Sequence, residues 1–333
     1  MTKKIAAILF AALLLVVSCS ALADETFNLK LGHNLAEDHA VHISLTAFAA
    51  DVAEKSAGTI NIQIFPNGTL GSESDMISQV QFGMLDMAKV SASTLGNYNK
   101  LYNAYSVPYV FDNQEHYYSV MDGEIANELY MATEGDGFIG LTWLDSGSRS
   151  FYITDAAYKK ANFAEADLTG LKIRMQNNAM MVRMIELLGG TGVTGIGANE
   201  VYSSIQTGVV DGAENPLSGI DGNALYEVSE YLTLDNHTYN IPVLVMSERT
   251  WNKANDATKA LLKETWMECV NEFFIPQLET YEAGLLEKFA ATGVTIIETL
   301  PDYEKWVEAC APVWAKYGAG MEDLIAKAQS YLE

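Results

Sequence analysis

Apolar and polar residues alternate with period two along Phe27-Asn28-Leu29-Lys30-Leu31-Gly32-His33, and again along Ile60-Asn61-Ile62-Gln63-Ile64-Phe65 until Pro66 breaks the run. Between them, Val41 to Lys55 sets its apolar residues at helical spacing, so the three segments predict a β-α-β unit. The rhythm continues with a helix from about Glu73 to Phe82, a short strand at Asp86 to Val90, a helical stretch from Gln114 to Thr133 and a buried strand at Phe138 to Leu144. It starts afresh after Gly147. Arg149 to Thr154 and Leu171 to Met175 read as strands, Met180 to Leu188 as a helix closed by Gly189 and Gly190, and Glu200 to Thr207 as another short helix. Val243 to Met246 reads as a strand of either half. From Asp256 the pattern is helical through about Ala291, interrupted at Pro276, whose ring removes a helix hydrogen bond. Helices close the chain after a strand at Val294 to Glu298, with Trp306 and Trp314 as packing anchors. Strand alternating with helix predicts an α/β fold with mixed, mostly parallel sheets. No sequence repeat, low-complexity tract or Pro-rich linker is apparent, which fits two lobes joined by crossing strands.

The first residues change the compartment. Lys3 and Lys4 precede an apolar stretch from Ile5 to Val17, and Ala21-Leu22-Ala23 offers an A-x-A cleavage site, so residues 1–23 read as a secretory signal and the mature chain as periplasmic. The stretch is shorter than the ~20 residues that a bilayer span needs. Val16-Val17-Ser18-Cys19 also loosely fits a lipobox, in which Cys19 would be acylated; the A-x-A match favours ordinary cleavage. Cys269 and Cys310 stay unassigned, as a disulfide or as two free buried thiols.

Composition then narrows the partners. Among 333 residues, 49% are hydrophobic and 19% charged, too apolar for a disordered tail and enough for two domains. The formal charge of −23 becomes −25 when a leader with two Lys and no acid is removed, a field that repels nucleic acid.

The common chemical motifs fail on context or absence. Gly190-Thr191-Gly192-Val193-Thr194-Gly195 matches G-x-G-x-x-G, but it follows a helix, whereas a dinucleotide fingerprint leaves a strand and opens a helix. His33, His39 and His42 lie near Glu37 and Asp38, yet lack the spacing or further ligands of a metal site, so no metal is expected. His33 and Asn34 stand instead where the first strand ends, the place where clefts form in α/β sheets. There is no G-x-S-x-G elbow, Walker A loop or H-E-x-x-H.

Arginine is the informative residue. Only Arg149, Arg174, Arg183 and Arg249 occur among twenty basic side chains. Arg149 lies in Asp145-Ser146-Gly147-Ser148-Arg149-Ser150-Phe151, at the expected junction of the halves, and Arg174 ends the strand in Gly170-Leu171-Lys172-Ile173-Arg174. An Arg at a strand end can grip a carboxylate with a planar fork that Lys cannot reproduce. A structural ion pair with one of the 43 acidic residues is the competing role, and the residues alone leave both open.

These segments resemble a known family. Gly170-Leu171-Lys172-Ile173-Arg174 followed by Glu200-Val201-Tyr202-Ser203-Ser204-Ile205-Gln206-Thr207-Gly208-Val209-Val210-Asp211-Gly212-Ala213-Glu214-Asn215-Pro216 is similar to the solute-binding proteins of TRAP (tripartite ATP-independent periplasmic) transporters. Pro66 with Leu70-Gly71-Ser72-Glu73, Gly83-Met84-Leu85-Asp86, Pro108-Tyr109-Val110-Phe111 and Asn236-His237 extend the resemblance through the mature chain. It implies a type II-like, two-lobed periplasmic binding protein with a long interrupted helix spanning both lobes. Residues 24–146 and about 241–280 would form one lobe, and 147–240 and about 281–333 the other. It also implies capture of a small organic acid, such as a sugar acid, by lobe closure and delivery to the membrane subunits of a TRAP transporter. In that reading Arg174 pairs with the ligand carboxylate, Arg149 adds a second contact and Asn215 hydrogen-bonds the ligand. More variable contacts fall at Asn34, Glu73, Ser91 and Tyr239. Ser91 stands where some sialic-acid-binding members have an acidic residue, which argues against that ligand. No cofactor or covalent step is needed, and a monomer is expected. A periplasmic enzyme on the same fold, or a ligand-loaded partner of a sensor, are the alternatives.

Overall fold

The computed structural model describes residues 26–121, 133 and 135–330. The leader with Cys19 lies outside the described residues, as does most of the helical stretch expected from Gln114 to Thr133 beyond its described helix at Gln114–Met121. The strands are β1 (Phe27–Gly32), β2 (Ile60–Phe65), β3 (Met87–Ser91), β4 (Phe138–Trp143), β5 (Ser148–Ile153), β6 (Lys172–Arg174), β7 (Thr191–Val193), β8 (Gly212–Asn215), β9 (Tyr231–Tyr239), β10 (Pro242–Ser247) and β11 (Thr295–Ile297). The helices that shape the site are α1 (Ala40–Lys55), α2 (Glu73–Phe82), α3 (Ala179–Leu187), α4 (Val201–Gln206), α5 (Leu217–Gly222), α6 (Asp256–Glu268), α7 (Ile275–Glu282) and α8 (Tyr303–Tyr317).

The strands form two mixed sheets, ordered β2-β1-β3-β10-β4 and β11-β9-β5-β8-β6-β7. The chain crosses from the first sheet to the second between β4 and β5 and returns between β9 and β10, and β5 and β10 each run antiparallel to both neighbours. The remaining pairings are parallel. β10, which the sequence left to either half, therefore belongs to the first sheet. Both β4 and β10 are buried along their whole length, which is why they read as continuous apolar runs.

The long helical segment spans both lobes: α6 packs on α1 and β4, while α7 packs on α5. The interruption expected at Pro276 is a π-helical turn over Cys269–Phe274, just ahead of the proline. A wider turn accommodates the missing amide and the ring without breaking the rod. The closing helices fasten to both lobes as well. Trp306 Nε1 donates to the Phe163 carbonyl at 3.0 Å and Trp314 Nε1 to the Pro108 carbonyl at 2.8 Å. Cys269 and Cys310 are free thiols, buried in different apolar clusters. No helix among the described residues is long and apolar enough to cross a membrane.

Strand register shows a repeat in the backbone that the sequence does not display. In the first sheet, Gly32 of β1 lies opposite Phe65 of β2 and Ala88 of β3; in the second, Arg174 of β6 lies opposite Val193 of β7 and Ala213 of β8. α2 and α4, which lead into β3 and β8, end alike. Gly83 and Gly208 both adopt φ of +72°, where a Cβ is strained. The next two amides then fold back on one carbonyl, Met84 and Leu85 on Gln79, Val209 and Val210 on Ser204. Asp86 accepts the Lys30 amide at 2.9 Å, and Asp211 the Lys172 amide at 2.7 Å. The sequence echo, Gly83-Met84-Leu85-Asp86 against Gly208-Val209-Val210-Asp211, is too short to stand out unaided.

Candidate functional site

The carboxyl ends of β1, β3, β6 and β8 face one another across the lobes, the position where α/β sheets bind ligands. They enclose a cavity of about 580 Å³ whose lining includes Asn34, Glu73, Ser91, Arg149, Arg174 and Asn215. The structure thus brings together six of the seven residues singled out from the sequence. Tyr239 stands apart: its ring stacks on Tyr117 at 4.3 Å between centroids and meets the edge of Phe111 at 5.7 Å. Side chains of an extended segment alternate, so its neighbour Asn240 reaches the cavity instead.

The two arginines differ in what occupies them. Arg174 is half-buried at the end of β6, and its Nε and Nη2 donate to the Ile196 carbonyl at 3.1 and 2.9 Å. Nη1 and the second hydrogen of Nη2 remain for a ligand. Burial lowers its pKa, yet a guanidinium stays charged. Arg149, only 2% exposed, is gripped from behind. Its Nε and Nη2 fork onto the Glu214 carboxylate, Nη2 also reaches the Glu214 carbonyl at 2.8 Å, and Nη1 donates to Asn240 Oδ1 at 3.1 Å. The structural ion pair that the sequence left open is therefore present at Arg149, and one Nη1 hydrogen is left for the cavity.

Glu214 sits in a wider buried network. A bulge in β9, where Asn236 takes φ of +46°, turns Asp235 and His237 inward. His237 Nδ1 lies 2.6 Å from Asp235 Oδ2, and Nε2 faces Glu214 Oε2 at 3.5 Å. Burial alone would discharge this histidine, but Asp235 and Glu214 raise its pKa to about 9. Burial would likewise protonate Glu214, but Arg149 and His237 hold it at about 2.

Glu73, at the start of α2, is also turned inward. Its carboxylate accepts from Ser91 Oγ at 2.8 Å and Thr94 Oγ1 at 2.9 Å and faces Lys89 Nζ at 3.5 Å. Burial pushes the Glu73 carboxyl up, and Lys89 with the hydroxyl donors overcomes it, so its pKa is lowered. Ser91 Oγ in turn accepts from Gln176 Nε2 of the other lobe at 2.9 Å. Asn215 is held against α5 by Gly219, where any Cβ would stand 2.5 Å from its amide nitrogen. Asn34 brings a buried Oδ1 with no hydrogen-bond partner.

Lys89, Asn240, Gln176 and His39 also line the cavity and were missed from the sequence. Lys89 had a signal, a lone Lys in the apolar strand Met87-Ala88-Lys89-Val90. His39 caps α1 through Nδ1, which accepts the Val41 amide at 3.1 Å, so Nε2 carries the proton. Burial, and then Lys89, lower its pKa to about 4. His33 and His42 bond each other at 3.0 Å. Among the described residues no group of three or more His, Cys, Asp or Glu could hold a metal ion. The run 190–195 follows α3 and contains β7, so it leaves a helix and enters a strand, not the reverse order that a dinucleotide fingerprint needs.

Known proteins match this chain over most of its length. A family model described as "Bacterial extracellular solute-binding protein, family 7" matches residues 31–320. An uncharacterized protein of Salmonella typhimurium strain LT2 is 37% identical over 203 residues, and the match spans 61% of either chain, less than two thirds of that relative's length. A solute-binding protein of Chromohalobacter salexigens is 32% identical over 258 residues, 77% of this chain and 74% of that one. Among solved structures, a TRAP periplasmic solute-binding protein of Pseudomonas putida F1 with bound D-glucuronate superposes with a TM-score of 0.85 at 30% identity, over 91% of this chain and 97% of that one.

Proposed function

The chain belongs to bacterial extracellular solute-binding protein family 7, the solute-binding proteins of TRAP transporters, and from this we propose that it captures a small organic acid between its lobes for delivery to the membrane subunits of such a transporter. The observation that carries the ligand class is Arg174, a half-buried guanidinium with unused N–H groups at the carboxyl end of a strand. A carboxylate there gains a charge-assisted, two-pronged contact in a partly desolvated place. A sugar acid of the uronate kind fits the remaining wall, where amide groups of Asn34, Asn215 and Asn240 offer donors and acceptors to hydroxyls. The proposed lobes meet at the crossings 144–147 and 240–241. A ligand touching both lobes stabilises the closed arrangement by its differential affinity, with no covalent step. We further propose that the leader is cleaved after Ala23, which the intact mass of exported protein checks.

A thermal-shift screen against organic acids tests the reading, because a ligand bound only by the folded state raises the melting temperature. Sugar acids are expected to do so. Arg174→Lys keeps the charge but loses the fork and should weaken binding by roughly 1.5–3 kcal/mol by calorimetry. A panel without any stabilising acid, or an unchanged affinity in the variant, would overturn the assignment.

A further inference from the structure

The cavity buries an unusual set of charges, and their pairing constrains the ligand more narrowly than its shape does. Three cationic side chains line it, Lys89, Arg149 and Arg174. Arg149 is matched by Glu214, whose neighbour His237 is matched in turn by Asp235. Lys89, with a side chain only 4% exposed, is matched by Glu73. Arg174 bonds a backbone carbonyl, and no carboxylate of the described residues stands within ion-pair distance of it. Two further carboxylates of the lining, Asp75 and Glu200, belong to exposed residues at the rim, where solvent screens them.

We propose that Glu73 sets the charge of the ligand: by neutralising Lys89 it leaves Arg174 as the one uncompensated cation of the described lining, so the site takes a monocarboxylate and rejects a dicarboxylate. The inference rests on the carboxylate-binding reading above and adds to it. A second carboxylate on the ligand would be desolvated without a partner, and near Lys89 it would face Glu73. The rest of the wall is neutral. His39 presents Nε2–H, its proton fixed there because Nδ1 accepts the Val41 amide, and burial keeps the ring uncharged. Asn34 presents an unpartnered Oδ1, and Asn215 and Asn240 present amides. These groups donate to and accept from hydroxyls, the substituents of a polyhydroxy acid, and give nothing to a second anion. Glu73 is thus a specificity-determining residue that acts through Lys89.

The test uses matched pairs differing in one terminal group: D-gluconate with D-glucarate, D-galactonate with D-galactarate, and D-erythronate with tartrate. Calorimetry on the full mature protein should show the monocarboxylate bound at least about tenfold more tightly than its partner in any pair that binds. Glu73→Gln keeps the shape and frees Lys89. At about pH 6, where a lysine without its carboxylate best retains its proton, that variant should lose or reverse the preference. Glu73→Gln combined with Lys89→Met removes both charges and should restore it. Circular dichroism and the melting temperature without ligand show whether each variant folds; if the single variant does not, the wild type and the double variant decide. A dicarboxylate bound by wild type as tightly as its partner overturns the proposal and leaves the carboxylate-binding reading standing. So does a single variant that folds with its preference unchanged. If no acid of either kind binds, both readings fall together.

Discussion

Midway along β3 the first lobe buries Lys89; at the same register position of β8, one residue past the paired alanines Ala88 and Ala213, the second lobe buries Glu214. Around them the backbones match to the level of single hydrogen bonds, from the positive-φ glycines to the aspartates that catch Lys30 and Lys172. The partners of the two charges come from different places. Glu73 reaches Lys89 from the start of α2, within the same repeat, whereas Arg149 reaches Glu214 from β5, the strand that follows the first crossing. A scaffold of repeated hydrogen bonds can thus carry opposite charges at one position, provided that each is paired before it is buried. The difference extends to the ligand contact itself. Arg174 occupies the place held in the first lobe by Gly32, where a Cβ would stand 2.8 Å from Met76 Sδ. One lobe packs at that point; the other holds the cation proposed to bind the ligand.

The sharpest way to break the comparison is to remove the carboxylate from each pair. Glu214→Gln leaves Arg149 and His237 buried with one partner fewer and should cost about 3–5 kcal/mol in denaturant unfolding. At about pH 8, Glu73→Gln should cost clearly less, because burial already lowers the Lys89 pKa and a lysine can shed its proton there where an arginine cannot. Equal losses would show that the two pairs are energetically alike. Next in size, Gly212→Val should cost roughly 3 kcal/mol, since its Cβ would lie 2.4 Å from the Tyr152 carbonyl oxygen, although Met87 fills the equivalent place in the first lobe.

The pH dependence should also separate the lobes. The folded His237 pKa is raised from 6.5 to about 9, so its contribution is complete below about 6.5 and is lost as pH rises through about 9. A melting curve that falls over this window in wild type and flattens in His237→Gln would place the loss in the second lobe. The smallest effects should come from the scaffold itself. Asp86→Asn and Asp211→Asn should each cost about 1 kcal/mol, with Asp86 slightly the larger because it also accepts from Thr250 Oγ1 at 2.9 Å. A difference of several kcal/mol between them would mean that the repeated hydrogen bond is not equivalent in the two lobes.

Much of the fold was legible because it follows local rules. Alternation gave β1 and β2, and helical spacing placed α2 at the residues observed. β10 showed its strand character in sequence but not its sheet, because an apolar run buried on both faces does not say which neighbours bury it. Six of the seven site residues line the cavity, most of them at or just beyond strand ends, which sequence can locate. At Tyr239 the difference is one residue in a segment of period two, with Asn240 in the cavity lining instead. Lys89 went unseen because a lysine in a strand is ordinarily read as solvent-facing.

By itself the sequence determined the alternating α/β pattern, the scarcity of arginine and the placing of Arg174 at the end of a strand, all consequences of local periodicity and residue type. Only the tertiary structure decided that Arg149 is committed to Glu214, that Lys89 is committed to Glu73, and that Arg174 keeps free N–H groups. Those outcomes depend on which charges, 16 or 65 residues apart in the chain, come to lie side by side once water is excluded.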